Sequence, residues 1–75
     1  MGGVQAVVDA LTEHGVESFE VEEEGYVLVE VPCGADDDRD CQELIGEIET
    51  WLSERGLPWV PEEVEGRIVI RPPAT

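Results

Sequence analysis

The second half of this chain repeats the residue pattern of the first half at an offset of 41 residues. Leu11-Thr12-Glu13-His14-Gly15 corresponds to Leu52-Ser53-Glu54-Arg55-Gly56, and another glycine follows ten residues later in each copy, at Gly25 and Gly66. Of the 22 aligned positions that begin at the two leucines, seven are identical. Such a repeat is typical of a duplicated supersecondary unit. Chance similarity between two short α-β-β stretches is the alternative, and the matched glycine spacing favours duplication.

Each copy begins with an amphipathic helical pattern that ends at a glycine. The first helix is predicted over residues 3–14 and the second over residues 39–55, because apolar residues recur at helical spacing in both. These residues are Val4, Val7, Val8 and Leu11 in the first helix and Leu44, Ile45, Ile48, Trp51 and Leu52 in the second. Glycine tolerates the left-handed conformation that commonly ends a helix, so Gly15 and Gly56 are predicted helix ends.

A β-hairpin is predicted after each helix, with Gly25 and Gly66 in its turn. Pro58 and Pro61 predict that the third strand lies at a sheet edge, since proline lacks a backbone N–H. The predicted fold is α+β: a two-layer sandwich of duplicated αββ-αββ units, in which a four-stranded antiparallel sheet carries two helices on one face. We expect one domain over residues 1–75, with repeat units at about 4–32 and 45–73 and an acidic connecting loop at 33–40.

Acidic residues dominate the charge of the chain. Nineteen acids stand against four arginines and no lysine, which gives a formal net charge of −15. The acids are spread along both halves, as expected of a protein whose whole surface is adapted to high salt, where self-repulsion is screened. Binding to nucleic acid or to an anionic membrane is disfavoured, because both require clustered basic residues.

The two cysteines, Cys33 and Cys41, are too few for a disulfide framework, and their spacing matches neither a redox C-x-x-C motif nor a zinc site. The chain has no apolar run long enough to span a bilayer and no secretory leader pattern. We therefore expect a cytoplasmic protein with both thiols reduced.

Acidic residues in the connecting loop suggest an alternative function in cation or small-ligand binding. Asp36, Asp38, Asp40 and Glu47 fall at positions 1, 3, 5 and 12 of a calcium-loop pattern when counting starts at Asp36. The pattern fails at position 6, where Cys41 replaces the required glycine, and Leu44 and Ile48 require a helix where the loop would wrap the ion. Residues 36–40 are better explained as the cap of the second helix. No metal site is therefore predicted.

The sequence predicts no catalytic site and no cofactor. His14 is the single histidine, and its counterpart in the repeat is Arg55, which favours a structural role for a cation at a helix end. The chain has no nucleophile elbow, phosphate-binding loop or lysine for a Schiff base.

The face of the sheet that points away from the helices is the predicted interaction face. We expect strand residues including Phe19, Val21, Val60, Ile68 and Ile70 to face the helices, which leaves their alternating neighbours on the other side. Those neighbours include aromatic, aliphatic and arginine side chains of the kind enriched in interface cores: Trp59, Tyr26, Leu28, Val69, Arg67 and Arg71. The sequence thus predicts a small non-catalytic interaction or regulatory domain, which forms a homodimer or binds a protein partner through this face.

Overall fold

A computed structural model of the chain describes residues 3–34 and 40–73, and of Tyr26 the backbone alone. Its elements in chain order are α1 (Val4–Glu13), β1 (Phe19–Glu23), β2 (Tyr26–Pro32), α2 (Cys41–Glu54), β3 (Val60–Val64) and β4 (Arg67–Arg71). The strands form one antiparallel sheet in the order β1-β2-β4-β3. The predicted α+β class is confirmed, and so is the edge position of the strand that contains Pro61.

The two helices end in the same way, 41 residues apart. After α1, Gly15 has a φ of 73° and donates its N–H to the carbonyl of Thr12, while Val16 donates to that of Leu11. After α2, Gly56 and Leu57 make the equivalent bonds to Ser53 and Leu52. This pair of bonds is a Schellman motif, which satisfies carbonyls that the helix itself leaves unpaired.

Asp40 is the N-cap of α2, as the sequence predicts. Its Oδ1 accepts a hydrogen bond of 2.7 Å from the N–H of Gln42, which satisfies one donor at the start of the helix. The N-cap of α1 is Gly3, which makes no side-chain bond. The boundaries of both helices therefore lie within two residues of those predicted.

Two-residue turns join the strands of each hairpin. Glu24 and Gly25 have φ values of 49° and 85°, and Glu65 and Gly66 have values of 50° and 81°. Two consecutive residues with positive φ form the turn whose twist matches that of the flanking strands. Each turn fixes the register of its hairpin.

The core lies between the helices and the two central strands. One cluster of buried side chains joins Val7 and Leu11 of α1, Leu44, Ile48 and Leu52 of α2, Val29 and Val31 of β2, and Ile68 and Ile70 of β4. None of these side chains is more than 1% exposed. Burying such side chains contributes roughly 1.5–3 kcal/mol each, which makes this cluster the main source of stability.

Cys33 and Cys41 form a disulfide, so the expectation of reduced thiols is wrong. Cys33 follows β2 and Cys41 begins α2, and their Cα atoms are 5.1 Å apart. Both side chains are buried, at 2% and 6% exposure. The bond closes the acidic loop at its base and ties the sheet to the start of α2. The cytoplasmic location that accompanied reduced thiols stays a prediction.

Candidate interaction surface

The hairpin register decides which strand residues share a face of the sheet. Residues directly opposite each other in an antiparallel pair point to the same side. Phe19 is opposite Glu30, and Val21 is opposite Leu28, while Val29 and Val31 join the core cluster on the other side. The face without the core cluster is called the open face here; its thirteen positions are 19, 21 and 23 in β1, 26, 28, 30 and 32 in β2, 60, 62 and 64 in β3, and 67, 69 and 71 in β4.

Phe19, Val21 and Val60 therefore lie on the open face, and the prediction that they face the helices is wrong. Val60 is opposite Arg71, in the register that Phe19 has with Glu30. Phe19 and Val60 are 56% and 54% exposed, and they are the large hydrophobic residues that the described part of the chain leaves exposed. Val60 follows Phe19 by 41 residues and corresponds to it in the repeat pattern. The open face therefore has one exposed apolar side chain near each of its outer edges.

Leu28 and Val69 lie on the open face as predicted, but neighbouring groups already cover them. Leu28 is 2% exposed and Val69 is 4% exposed. These two residues form an apolar floor at the centre of the open face, which presents little accessible area to a partner. The exposed apolar area of the face is supplied instead by Phe19 and Val60.

Two ion pairs surround Val69. Its cross-strand neighbours are Glu30 on β2 and Glu62 on β3. The Nε of Arg67 lies 3.8 Å from Oε1 of Glu30, and the Nε of Arg71 lies 2.9 Å from Oε1 of Glu62. Such exposed pairs contribute at most about 1 kcal/mol each to folding. Their larger effect is on the charge of the face, since they neutralise two carboxylates beside its apolar centre.

The open face is therefore almost neutral in a strongly acidic chain. It carries three glutamates, Glu23, Glu30 and Glu62, and two arginines, Arg67 and Arg71, for a formal net of −1. The whole chain carries −15. The rest of the molecule thus holds nearly all of the excess negative charge.

Trp59 lies on the other side of the sheet from the predicted interaction face. It is half-buried and packs against the core cluster, next to Val60 at the start of β3. The side chain of Tyr26 falls outside the described part of the structure; its backbone pairs with Glu23. Of the six predicted interaction residues, Leu28, Val69, Arg67 and Arg71 share the open face, and Trp59 does not.

Two shallow grooves lie at equivalent places between a helix end and an edge strand. One has a volume of about 330 Å³ and is lined by residues that include Val8, Val16 and Phe19. The other has a volume of about 400 Å³ and is lined by residues that include Leu57, Trp59 and Val60. Neither lining contains a histidine or a cysteine.

The acidic-loop residues proposed as weak cation ligands are only partly described. Asp36 and Asp38 lie outside the described residues. Asp40 caps α2 through its bond to Gln42, and Glu47 is exposed on that helix. Within residues 3–34 and 40–73, no three histidine, cysteine, aspartate or glutamate side chains lie close enough together to hold a metal ion.

The single histidine of the chain contacts the other helix. His14 is the C-cap of α1, and its ring stacks on the indole of Trp51 in α2. Among the described residues, no polar or charged side chain is buried.

Comparison of the chain with models of protein families, with curated proteins and with solved structures gave no match. Neither of the two described helices has the length and apolar character needed to cross a bilayer.

Proposed function

We propose that the chain is a small, non-catalytic interaction or regulatory domain adapted to high salt, and that two copies associate through the open face. The observation that carries this proposal is the near-neutral charge of that face in a chain with a net charge of −15. Two copies repel each other over most of their surface. The open face is where the repulsion is smallest and where Phe19 and Val60 expose apolar area.

We also propose that the domain consists of two duplicated αββ units with both helices on the same side of the sheet. Residues 1–75 form one unit built from two αββ copies, at about 4–32 and 45–73, with both helices on one side of the sheet. Support comes from the hydrogen bonds and φ values that recur 41 residues apart. The register also supports it: Val29 is directly opposite Ile70, its own counterpart in the repeat, as a local two-fold axis between the copies requires.

Phe19 and Val60 replace Trp59 as the proposed anchors of the association. Each is more than half exposed, and the two lie near opposite edges of the open face. Leu28 and Val69 form the apolar floor between them. Sheets that pack face to face lie about 10 Å apart, so side chains of both copies interdigitate in such an interface.

The test compares two variants that add the same charge at different places. Val60→Glu puts a carboxylate on the open face, and Thr50→Glu puts one on the exposed surface of α2. We expect sedimentation in molar salt to show a dimer for the unaltered chain and for Thr50→Glu, and a monomer for Val60→Glu. Loss of an interface anchor costs about 2 kcal/mol or more of association free energy.

Trp59→Ala serves as a second comparison, because Trp59 packs against the core. It is expected to lower the melting temperature while the dimer persists. The proposal fails if the unaltered chain remains monomeric at every concentration, or if both charge variants associate equally well.

A further inference from the structure

We propose that the free edge of β1 binds an extended protein segment in which basic and apolar residues alternate. This edge borders the open face and shares Phe19 and Val21 with it, but addition of a strand to the edge does not require association between copies. In the part of the chain that the structure describes, the strand order β1-β2-β4-β3 leaves one side of β1 and one side of β3 without a neighbouring strand. Backbone groups on such a side are able to pair with a strand from another protein.

The two edges differ in their capacity to accept a strand. Pro61 is the second residue of β3 and has no N–H to donate, so a ladder along that edge is interrupted. β1 reads Phe-Glu-Val-Glu-Glu and contains no proline, so none of its N–H groups that point away from β2 is missing. Of the two edges, β1 is therefore the one open to strand addition.

The side chains of β1 specify the chemistry of its partner. Glu20 and Glu22 lie opposite Val29 and Val27, on the side of the sheet that holds the core, and both carboxylates are exposed. Phe19 and Val21 lie on the open face. An added strand is complementary to β1 on both faces of the sheet when its basic residues lie beside the two glutamates and its apolar residues lie beside Phe19 and Val21.

A second copy of β1 does not meet this requirement. Any antiparallel pairing that continues the open face from one copy to the other places glutamates directly opposite glutamates, and like charges at opposed positions are destabilising. The charges that keep β1 from pairing with itself are the charges that select a basic strand. This pattern commits the site to a foreign basic segment rather than to self-association.

The test uses a capped synthetic peptide in which valine alternates with lysine. Its control has the same composition, with the lysines in one block and the valines in another. At about 0.15 M salt, where charges beyond roughly 8 Å are screened, both peptides retain general attraction to an acidic protein. The alternating peptide is expected to bind about tenfold more tightly, because it alone places lysines beside both glutamates while its valines meet Phe19 and Val21.

Two double variants with equal charge locate the site. Glu20→Gln with Glu22→Gln should weaken binding of the alternating peptide about tenfold. Glu47→Gln with Glu54→Gln removes the same charge from exposed positions of α2 and should change the affinity little. Amide hydrogen exchange in β1 should slow on binding, while exchange in β3 stays unchanged.

Three results would each overturn the proposal: equal affinity for the two peptides, equal losses in the two double variants, or protection of β3 instead of β1. Absence of binding would also overturn it, because the glutamates would then only prevent β1 from pairing with itself.

Discussion

The imidazole of His14 stacks on the indole of Trp51, with ring centroids 4.0 Å apart and planes 4° from parallel. The stack joins the end of α1 to the last turns of α2, and an ion pair between Glu13 and Arg55 joins the same ends. The residues that correspond to His14 and Trp51 at the 41-residue offset are Arg55 and Ala10. Because alanine has no ring, these two residues cannot form an equivalent stack. The contact between the helices is therefore one place where the two halves of the chain differ.

His14→Ala should destabilise the fold by about 0.5–1.5 kcal/mol, the contribution typical of an aromatic pair. His14→Phe is the matched control, since it keeps a flat ring in the same place and should retain most of that stability. Urea unfolding followed by tryptophan fluorescence measures both variants. Equal losses in the two variants would show that the imidazole acts through its nitrogen atoms rather than through stacking.

Removal of the disulfide should lower stability by about 2–3 kcal/mol, as chain-entropy arguments give for a loop of this length. The double variant Cys33→Ala and Cys41→Ala tests this, with the reduced unaltered chain as its control. Thiol titration of the unfolded protein should detect no free thiol before reduction and two after it. Two free thiols before reduction would contradict the bond between Cys33 and Cys41.

Three glycine-to-alanine variants should change stability in opposite directions. Gly25 and Gly66 have φ values of 85° and 81°, which a residue with a Cβ rarely adopts, so alanine should destabilise both turns by about 1 kcal/mol. Gly46 lies inside α2, and a Cβ there meets nothing within 4 Å. Gly46→Ala should therefore stabilise the chain by about 0.5–1 kcal/mol. Thermal melting compares the three, and unequal losses at Gly25 and Gly66 would contradict the equivalence of the two turns.

Helix positions, hairpins and the edge position of β3 were predictable because each depends on local signals: apolar spacing, glycines with positive φ, and Pro61. The face of the sheet toward which the apolar residues of β1 and β3 point was predicted incorrectly, although the hairpin turns determine it. A two-residue turn at Glu24-Gly25 pairs odd positions of β1 with even positions of β2. If Val29 faces the core, Phe19 and Val21 must then face away from it.

Apolar alternation alone led to the opposite assignment, because it assumes that every strand points its apolar side toward one core. The edge strand β1 instead contributes its apolar residues to the open face. The disulfide was missed for a different reason. Eight residues separate Cys33 from Cys41, and their approach depends on how β2 and α2 pack, which no local pattern reports. The stack of His14 on Trp51 is likewise a contact between helices.

Thermal stability should rise steeply with salt between about 0.01 M and 1 M, as the screening length falls from roughly 30 Å to 3 Å. The reason is the net charge of −15. Within residues 3–34 and 40–73, the ion pairs of Arg55, Arg67 and Arg71 neutralise three carboxylates, those of Glu13, Glu30 and Glu62. Potassium chloride is the suitable salt, since sulfate also strengthens apolar burial.

The variant Glu47→Gln with Glu54→Gln reduces the net negative charge by two at exposed positions of α2 and provides the control. Its melting temperature should depend less on salt than that of the unaltered chain, and the difference should be largest at low salt, where repulsion reaches furthest. If salt raised the melting temperatures of both proteins equally, the gain would come from apolar burial rather than from screened repulsion. A melting temperature independent of salt would mean that repulsion among the carboxylates contributes little to the stability of the fold.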